Sequence, residues 1–397
     1  MNHLKISTIK SSSISKVFII TRNNFPNGDA GALRDHSFAK IYRALGFKVI
    51  IICNNPDIKI GIYDNFHFYS IYSKKTQKDI RSKINSEFGF KIRFKNLFNQ
   101  FNFELKDAIV HFPDLPFNMI TYLKKNSPKA NLKLVHDSVE WYSRKNFKFG
   151  LFSFGYFYKM FLNQVLISKS INVISISTFL QRFYTMKNIF SIRIPVILSK
   201  YLNLRLINSK FNPKKIKIIY AGSPARKDLL DDIIKATIII NEKNNNIIQL
   251  NIIGVNKSAS NDIYKSRNII FHGIKKRSYI LRQYKTANYS ILIRPQNMIY
   301  SRAGFPTKIV ESLSYSVPVI TNLTSDLNLY LKNFQNSIIC NSDSLEDIIK
   351  SLNLIMEIDY KKYLKLCYNA GLSYKKMFYY KNYLNEYKSF IVKSLKE

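Results

Sequence analysis

The chain has 397 residues, 46% of them apolar, with only 12 glycines and 11 prolines. It is long enough for two hydrophobic cores, and the composition excludes a fibrous or linker-rich protein. The net charge of +37 suits an anionic partner, whether nucleic acid, anionic lipid or a phosphorylated substrate, although a chain crowded with Lys, Asn and Ile also gains basic charge from composition alone.

The start, MNHLKISTIKSSSISK, is polar and has no apolar core of a signal peptide. Val17–Ile20 then reads as a strand, Ala32–Leu45 as a helix ended by Gly46, and Val49–Ile52 as a second strand. Further buried-strand candidates are Ala108–Val110, Leu132–Val135 and Asn172–Ile176. The pattern restarts at Ile216–Tyr220 and continues through Leu250–Ile253, Asn268–Phe271, Ser290–Ile293 and Val317–Ile320. Short apolar runs alternating with helical segments predict parallel sheets covered on both faces. The expected fold class is α/β, with two doubly wound Rossmann-like domains facing across a cleft and a boundary near residues 199–213. Ligands of such sheets bind beyond the carboxyl ends of the strands. No run of about 18 apolar residues marks a spanning helix. Cys53, Cys340 and Cys367 lie far apart without CxxC spacing. They predict neither a disulfide framework nor a metal site, and a reducing cytoplasm.

Three glycine turns follow predicted strands. In TRNNFPNGDAGALRDHSFAK, Gly28 and Gly31 permit close backbone approach before a helix. The spacing is not GxGxxG, and an ordinary Asn-Gly turn reads equally well. In YAGSPARKDLLDD, the turn Gly222-Ser223-Pro224 precedes Arg226 and Lys227, two cations able to clamp a diphosphate; a solvated basic turn is the plainer alternative. In RAGFPTKIVESLSYSVPVI, Gly304 opens a turn and Pro306 starts a helix. The amides of Phe305, Thr307 and Lys308 would face an anion. Glu311, one turn deeper, would accept hydrogen bonds from a ribose, unless it is simply a surface carboxylate.

Taken in order, these turns with VHDSVEW, VISISTFLQRFY and FHGIKKRSYILRQYKTANYSILIRP resemble a family 4 glycosyltransferase of the GT-B fold, of the bacterial polysaccharide type, over nearly the whole chain. The resemblance implies an acceptor domain at residues 1–200 and a nucleotide-sugar donor domain at 201–375. It implies a C-terminal helix at 376–397 packing back on the first domain. It implies retention of anomeric configuration and no metal or other cofactor. By position it carries over Gly28 and Gly31 near the transferred sugar, and Lys227 near the diphosphate. Glu311 matches the second acid of an E-x7-E motif, and Phe271, His272 and Gly273 the segment lining the base. His136, with Asp137 beside it, stands where relatives keep a histidine. Two departures matter: the first acid of E-x7-E falls on Ala303, and the family arginine after Gly222 is Ser223, for which Arg226 or Arg294 would substitute.

Residues 141–161, WYSRKNFKFGLFSFGYFYKMF, combine aromatic and basic residues without an acid. Trp141, Arg144, Lys145, Lys148 and Phe149 are therefore expected at an acceptor or membrane surface, with a first-domain core as the alternative. The expected partners are a nucleoside-diphosphate sugar, a glycan or lipid-linked acceptor and the anionic inner face of a membrane, not nucleic acid. The expected place is the cytoplasm, peripherally on that membrane. A GT-B sugar epimerase and a degenerate, non-catalytic GT-B protein are the alternatives.

Overall fold

The computed structural model describes residues 13–26, 28, 30–72, 80–144, 147, 152–200, 211–224, 227–245, 247–256 and 266–396. They form two compact units, Met1–Ser199 joined by Tyr380–Glu397, and Lys200–Tyr379.

The first unit runs β1 (Lys16–Ile20), α1 (Ala30–Ala44), β2 (Lys48–Cys53), β3 (Ile60–Tyr63), β4 (Phe66–Ser70), α2 (Ile80–Gln100), β5 (Ala108–Phe112) and α3 (Phe117–Asn126). It continues with β6 (Lys133–Ser138), α4 (Phe154–Phe161), β7 (Asn172–Ser175), α5 (Thr178–Met186) and β8 (Ser191–Arg193). The sheet order is β3-β4-β2-β1-β5-β6-β7-β8. All neighbours are parallel except β3 against β4. β5 is buried at every position, as a central parallel strand covered on both faces must be. The hairpin β3–β4 turns on Asp64 and Asn65, both at positive φ (49° and 61°), a two-residue turn whose twist matches that of the strands. The chain leaves β1 toward β2 and later returns beside β1 as β5, so the strand order reverses between these two.

The second unit runs β9 (Ile216–Ala221), α6 (Leu230–Lys243), β10 (Ile248–Ile253), β11 (Ile269–Phe271), α7 (Arg277–Tyr284) and β12 (Tyr289–Leu292). Then come α8 (Ile299–Ala303), α9 (Thr307–Leu313), β13 (Val319–Asn322), β14 (Ser337–Cys340), α10 (Leu345–Met356) and α11 (Tyr360–Met377). Its sheet, β11-β10-β9-β12-β13-β14, is parallel throughout. Here the order reverses between β9 and β12. Ser344 and Asp359 cap α10 and α11 by accepting from the amides of Asp347 and Lys362, which satisfies donors that a helix start leaves free.

The last helix, α12 (Leu384–Lys396), belongs to the first unit. Its Tyr387 hydroxyl donates to the Tyr42 hydroxyl of α1 at 2.6 Å, and the Phe390 ring stacks on Phe190 at 5.1 Å. The α1–α12 side of the sheet also buries His111, whose ring lies 4.7 Å from Phe38. On the opposite side His136 packs 5.4 Å from Phe112. Burial lowers His111 and His136 from the usual histidine value to about 4, and burial with Lys40 nearby does the same to His36 against the opposing Asp64. All three are therefore neutral in the folded unit and take up protons on unfolding below pH 6.5. The unfolded state binds more protons between pH 6.5 and 4, so stability falls as pH falls through this window, by on the order of 1 kcal/mol per pH unit per histidine. Urea unfolding across this range should show that loss. The slope should shrink by about a third in His111→Gln, whatever that substitution costs at pH 7.5; an unchanged slope would remove His111 from the account.

Candidate active site

In the first unit the turn after β1 is tightly packed. A Cβ on Gly28 would lie 2.2 Å from the Asn24 carbonyl oxygen, and one on Gly31 would lie 2.4 Å from Asn23 Nδ2. That amide nitrogen donates to Asp35 at 2.7 Å. Both glycines are thus required by chain packing at the carboxyl end of β1.

His136 and Asp137 lie near the end of β6, just before Ser138. His136 is 6% exposed, and its Nδ1 is buried without a hydrogen-bond partner among the described residues. Asp137, expected beside His136 at the site, is paired with a cation. Arg34 of α1 holds both Asp137 oxygens, Nε at 2.7 Å and the terminal nitrogen at 2.8 Å, and the two side chains are 5% and 1% exposed. The clamp on both oxygens fixes this carboxylate in the core. The same guanidinium donates to the carbonyls of Pro195 and Ile194, tying α1 and β6 to the segment that leaves the unit. Trp141 also departs from expectation: it is buried, 4.7 Å from the Phe183 ring and 6.2 Å from Phe179. Arg144 is exposed. Lys145, Lys148 and Phe149 lie outside the described residues.

In the second unit the residues gather where β9 and β12 end. Gly222 follows β9 at φ +118°, a conformation that L side chains rarely adopt, and a Cβ there would lie 2.7 Å from Lys308 Cε. Gly254 and Gly273 follow β10 and β11, also at positive φ, and are joined by a 2.8 Å hydrogen bond from the Gly254 amide to the Gly273 carbonyl. Ser223 is exposed at the turn, and the Lys227 amide closes it by donating to the Pro224 carbonyl at 2.7 Å. Arg226 lies outside the described residues.

Next to this turn stands Asp228, a carboxylate with a side chain 1% exposed. Lys308 Nζ lies 2.5 Å from its Oδ2, Arg294 Nε 2.9 Å from its Oδ1, and the Tyr220 hydroxyl donates to Oδ2 at 2.6 Å. Burial alone would push Asp228 up; Lys308 and then Arg294 outweigh it and hold the carboxyl below its ordinary range. Burial pushes Lys308 down, and Asp228 limits the fall. Burial, then Asp228, raises the Tyr220 phenol, so it stays a donor. Two cations face one anion here, which leaves a positive surplus at the point where the strand order reverses.

The third turn sits beside this cluster. Gly304 ends α8, and Pro306 precedes α9 with no side chain capping its first amides. Phe305 is buried against Tyr330 (5.6 Å) and Phe378 (5.9 Å), so only its backbone is offered to a ligand. Thr307 and Lys308 form the first turn of α9. Glu311, one turn on, has its Oε1 2.5 Å from the Arg277 guanidinium at the start of α7, a close charge contact out of line for a hydrogen bond. Ala303 is fully buried. Phe271 is half-buried at the end of β11, and the neighbouring His272 ring is held between Asn251 (2.9 Å) and Tyr279 (2.8 Å).

The sequence reading missed Asp228, the side-chain role of Lys308, and Arg277. One signal was available. A lysine in the first turn of a helix opposes the helix dipole and calls for a carboxylate partner. Arg34 and Asp137, 103 residues apart, gave no local signal.

Residues 206–372 match the family profile described as Glycosyl transferases group 1. Against curated protein sequences the chain has no significant match. Among solved structures it is similar to sucrose-phosphate synthase from Thermosynechococcus elongatus, with TM-score 0.71 and 12% identity over 95% of this chain and 98% of that one. It is similar to HepE from Anabaena in complex with UDP and glucose, with TM-score 0.64 and 11% identity over 95% and 99%. It is also similar to WaaG, a glycosyltransferase involved in lipopolysaccharide biosynthesis, with TM-score 0.63 and 12% identity over 94% and 99%.

Replacing Arg34 with Met leaves Asp137 charged and buried alone, at a cost of about 3–5 kcal/mol. Urea unfolding should show this, and Arg34→Met/Asp137→Leu should recover a large part of it. Equal instability of the single and double variants would show that the pair matters only through packing. Residues 206–372 thus match a group 1 glycosyl transferase domain, and the two parallel-sheet units have the GT-B fold.

Proposed function

We propose that this protein transfers a sugar, with retention of anomeric configuration, from a nucleoside-diphosphate sugar to a glycan or lipid-linked acceptor in cell-surface polysaccharide synthesis. The observation that carries the donor class is the surplus of Arg294 and Lys308 over Asp228 at the β9–β12 reversal. A cleaving glycosidic bond places negative charge on the leaving diphosphate, and preoriented donors there lower the barrier. Arg294, Lys227, Arg226 and the backbone of Gly222, Ser223, Gly304, Phe305, Thr307 and Lys308 are the groups proposed to meet it. Glu311, steadied by Arg277, is proposed to hold the ribose, and Phe271 and Gly273 to border the base. UDP bound in HepE and the biosynthetic role of WaaG support the donor and the pathway class. Retention requires the acceptor to be activated from the leaving-group side, where a diphosphate oxygen serves as base. His136 is proposed to border the transferred sugar, together with Gly28 and Gly31.

A lipid-linked acceptor is supported by one face of the first unit. Phe88 and Ile92 of α2 are each 61% exposed, Phe157 and Val165 58%, and Phe161 41%. The Phe117 ring lies 5.8 Å from Phe161, and Asn118 donates to the Phe88 carbonyl at 3.0 Å, so α2, α3 and α4 meet here. Lys91 and Lys95 border it on α2, and Arg144 lies just after Trp141 in the chain. No described helix is long and apolar enough to cross a membrane. An apolar patch in a chain of net charge +37 suits the anionic surface of a bilayer, where the rings enter the headgroup boundary and the cations meet lipid charge.

Thermal-shift screening against a panel of nucleotide sugars, followed by detection of released nucleoside diphosphate, tests the donor reading. Stabilisation with turnover is expected; binding without turnover would favour the non-catalytic alternative. Glu311→Gln should weaken nucleoside-diphosphate binding by about 1.5–3 kcal/mol in calorimetry, and unchanged affinity would exclude the ribose contact. On anionic vesicles, salt should release only part of the bound protein. The triple variant Phe88→Ser/Ile92→Ser/Phe157→Ser should stay folded and lose the salt-resistant part. Equal binding to neutral vesicles would contradict the charge argument.

A further inference from the structure

The proposed donor site raises the question of which of the two cations on Asp228 touches the diphosphate, and the hydrogen bonds of these two answer it. An ammonium has three donors. Those of Lys308 are committed to Asp228 Oδ2 (2.5 Å), the Tyr220 hydroxyl (2.8 Å) and the Ser223 carbonyl (3.0 Å). Its nitrogen also lies 4.4 Å from the centre of the Tyr220 ring. Lys308 has nothing left to offer a ligand. Its stem instead lies under Gly222, where a Cβ would come within 2.7 Å.

Arg294 is built the opposite way. A guanidinium has five N–H groups in a rigid fork. Nε is used on Asp228 Oδ1 at 2.9 Å; among the described residues no bond reaches the other four. Its backbone is fixed on both sides by Asn322, which accepts from the Arg294 amide at 3.0 Å and donates to its carbonyl at 2.7 Å. The side chain is 14% exposed. It is anchored at its inner edge and open at its outer one.

Resting on the donor reading above, we infer that of these two cations Arg294 receives the departing diphosphate, and that Lys308 is a positioning residue acting through Asp228 and the Gly222–Ser223 turn. The electrostatic reason is specific. Asp228 orients Arg294 by holding Nε, but a lone carboxylate there would also cancel its charge. Lys308 neutralises Asp228 from the other oxygen, so Arg294 is aimed without losing its pull on an anion. A lysine at position 294 could not do both tasks, because it has one nitrogen where arginine has three.

Calorimetry with UDP, ADP and GDP, each against its bare nucleoside, tests this on the full chain and on Arg294→Lys and Lys308→Met. Both variants should lose about tenfold or more in nucleoside-diphosphate affinity while nucleoside affinity stays within about twofold. The dependence of diphosphate binding on salt should also flatten in both. In turnover, Arg294→Lys should lower kcat more than it changes KM. Wild-type protein that binds none of the three diphosphates would overturn the donor reading, and this inference with it. Wild-type binding that Arg294→Lys leaves intact would overturn the inference alone. So would equal loss of nucleoside and diphosphate in Lys308→Met, which marks a merely structural lysine. If Lys308→Met does not fold, Arg294→Lys, which leaves Asp228 between two cations, decides.

Discussion

Asp228 is one carboxylate asked to satisfy two cations and a phenol in a place with almost no water. Burying a single charge is costly, and burying three is tolerated only when geometry satisfies each of them. The consequence reaches outward along every partner. Lys308 is drawn from the first turn of α9 against the helix dipole, Arg294 from the end of β12, and Tyr220 from β9. The two strands that diverge at the reversal, and the short helix after the third glycine turn, are thereby fixed to one another. The positive φ of Gly222 belongs to the same constraint, since the turn has to lie on the lysine stem.

The first unit solves a parallel problem with a single pair. Arg34 binds Asp137 and two carbonyls of the segment at residues 194–195. Two further contacts from α1 hold the same exit. Ser37 donates to the Ile197 carbonyl at 3.1 Å, and the Ser199 hydroxyl lies 2.8 Å from His36 Nδ1. The returning chain joins them through the Tyr380 amide, which donates to the Leu198 carbonyl at 3.2 Å. α1 therefore anchors both passages of the chain through the edge of its unit.

Much of this architecture was legible as short apolar runs. β1, β2, β5 and β9 appear within a residue or two of their expected ends, because a strand covered on both faces reads as a nearly continuous apolar run. Val317–Ile320 was shifted: the strand begins at Val319, since Pro318 cannot donate to a ladder. The β3–β4 hairpin escaped notice. β3 is an exposed edge strand, and its signal was the Asp64–Asn65 turn rather than any apolar run. At the site, the glycine turns were legible because close approach needs glycine. The charge network was not, because Lys308 and Asp228 lie 80 residues apart, and attention went to Arg226 and Lys227 beside it. Trp141 follows the alternative, a first-domain core. The aromatic-basic stretch is not one surface: its tryptophan is core while Phe152 is 94% exposed.

The central claim is that the β9–β12 reversal of the second unit holds a nucleoside diphosphate. The most direct measurement is a crystal structure of the protein with a saturating nucleoside diphosphate that calorimetry has shown to bind. The account predicts the terminal phosphate against the outer edge of the Arg294 guanidinium, near the Gly222–Ser223 turn and the first amides of α9, with Lys308 still on Asp228. A nucleotide bound elsewhere, or a phosphate held by Lys308 after leaving Asp228, would contradict it.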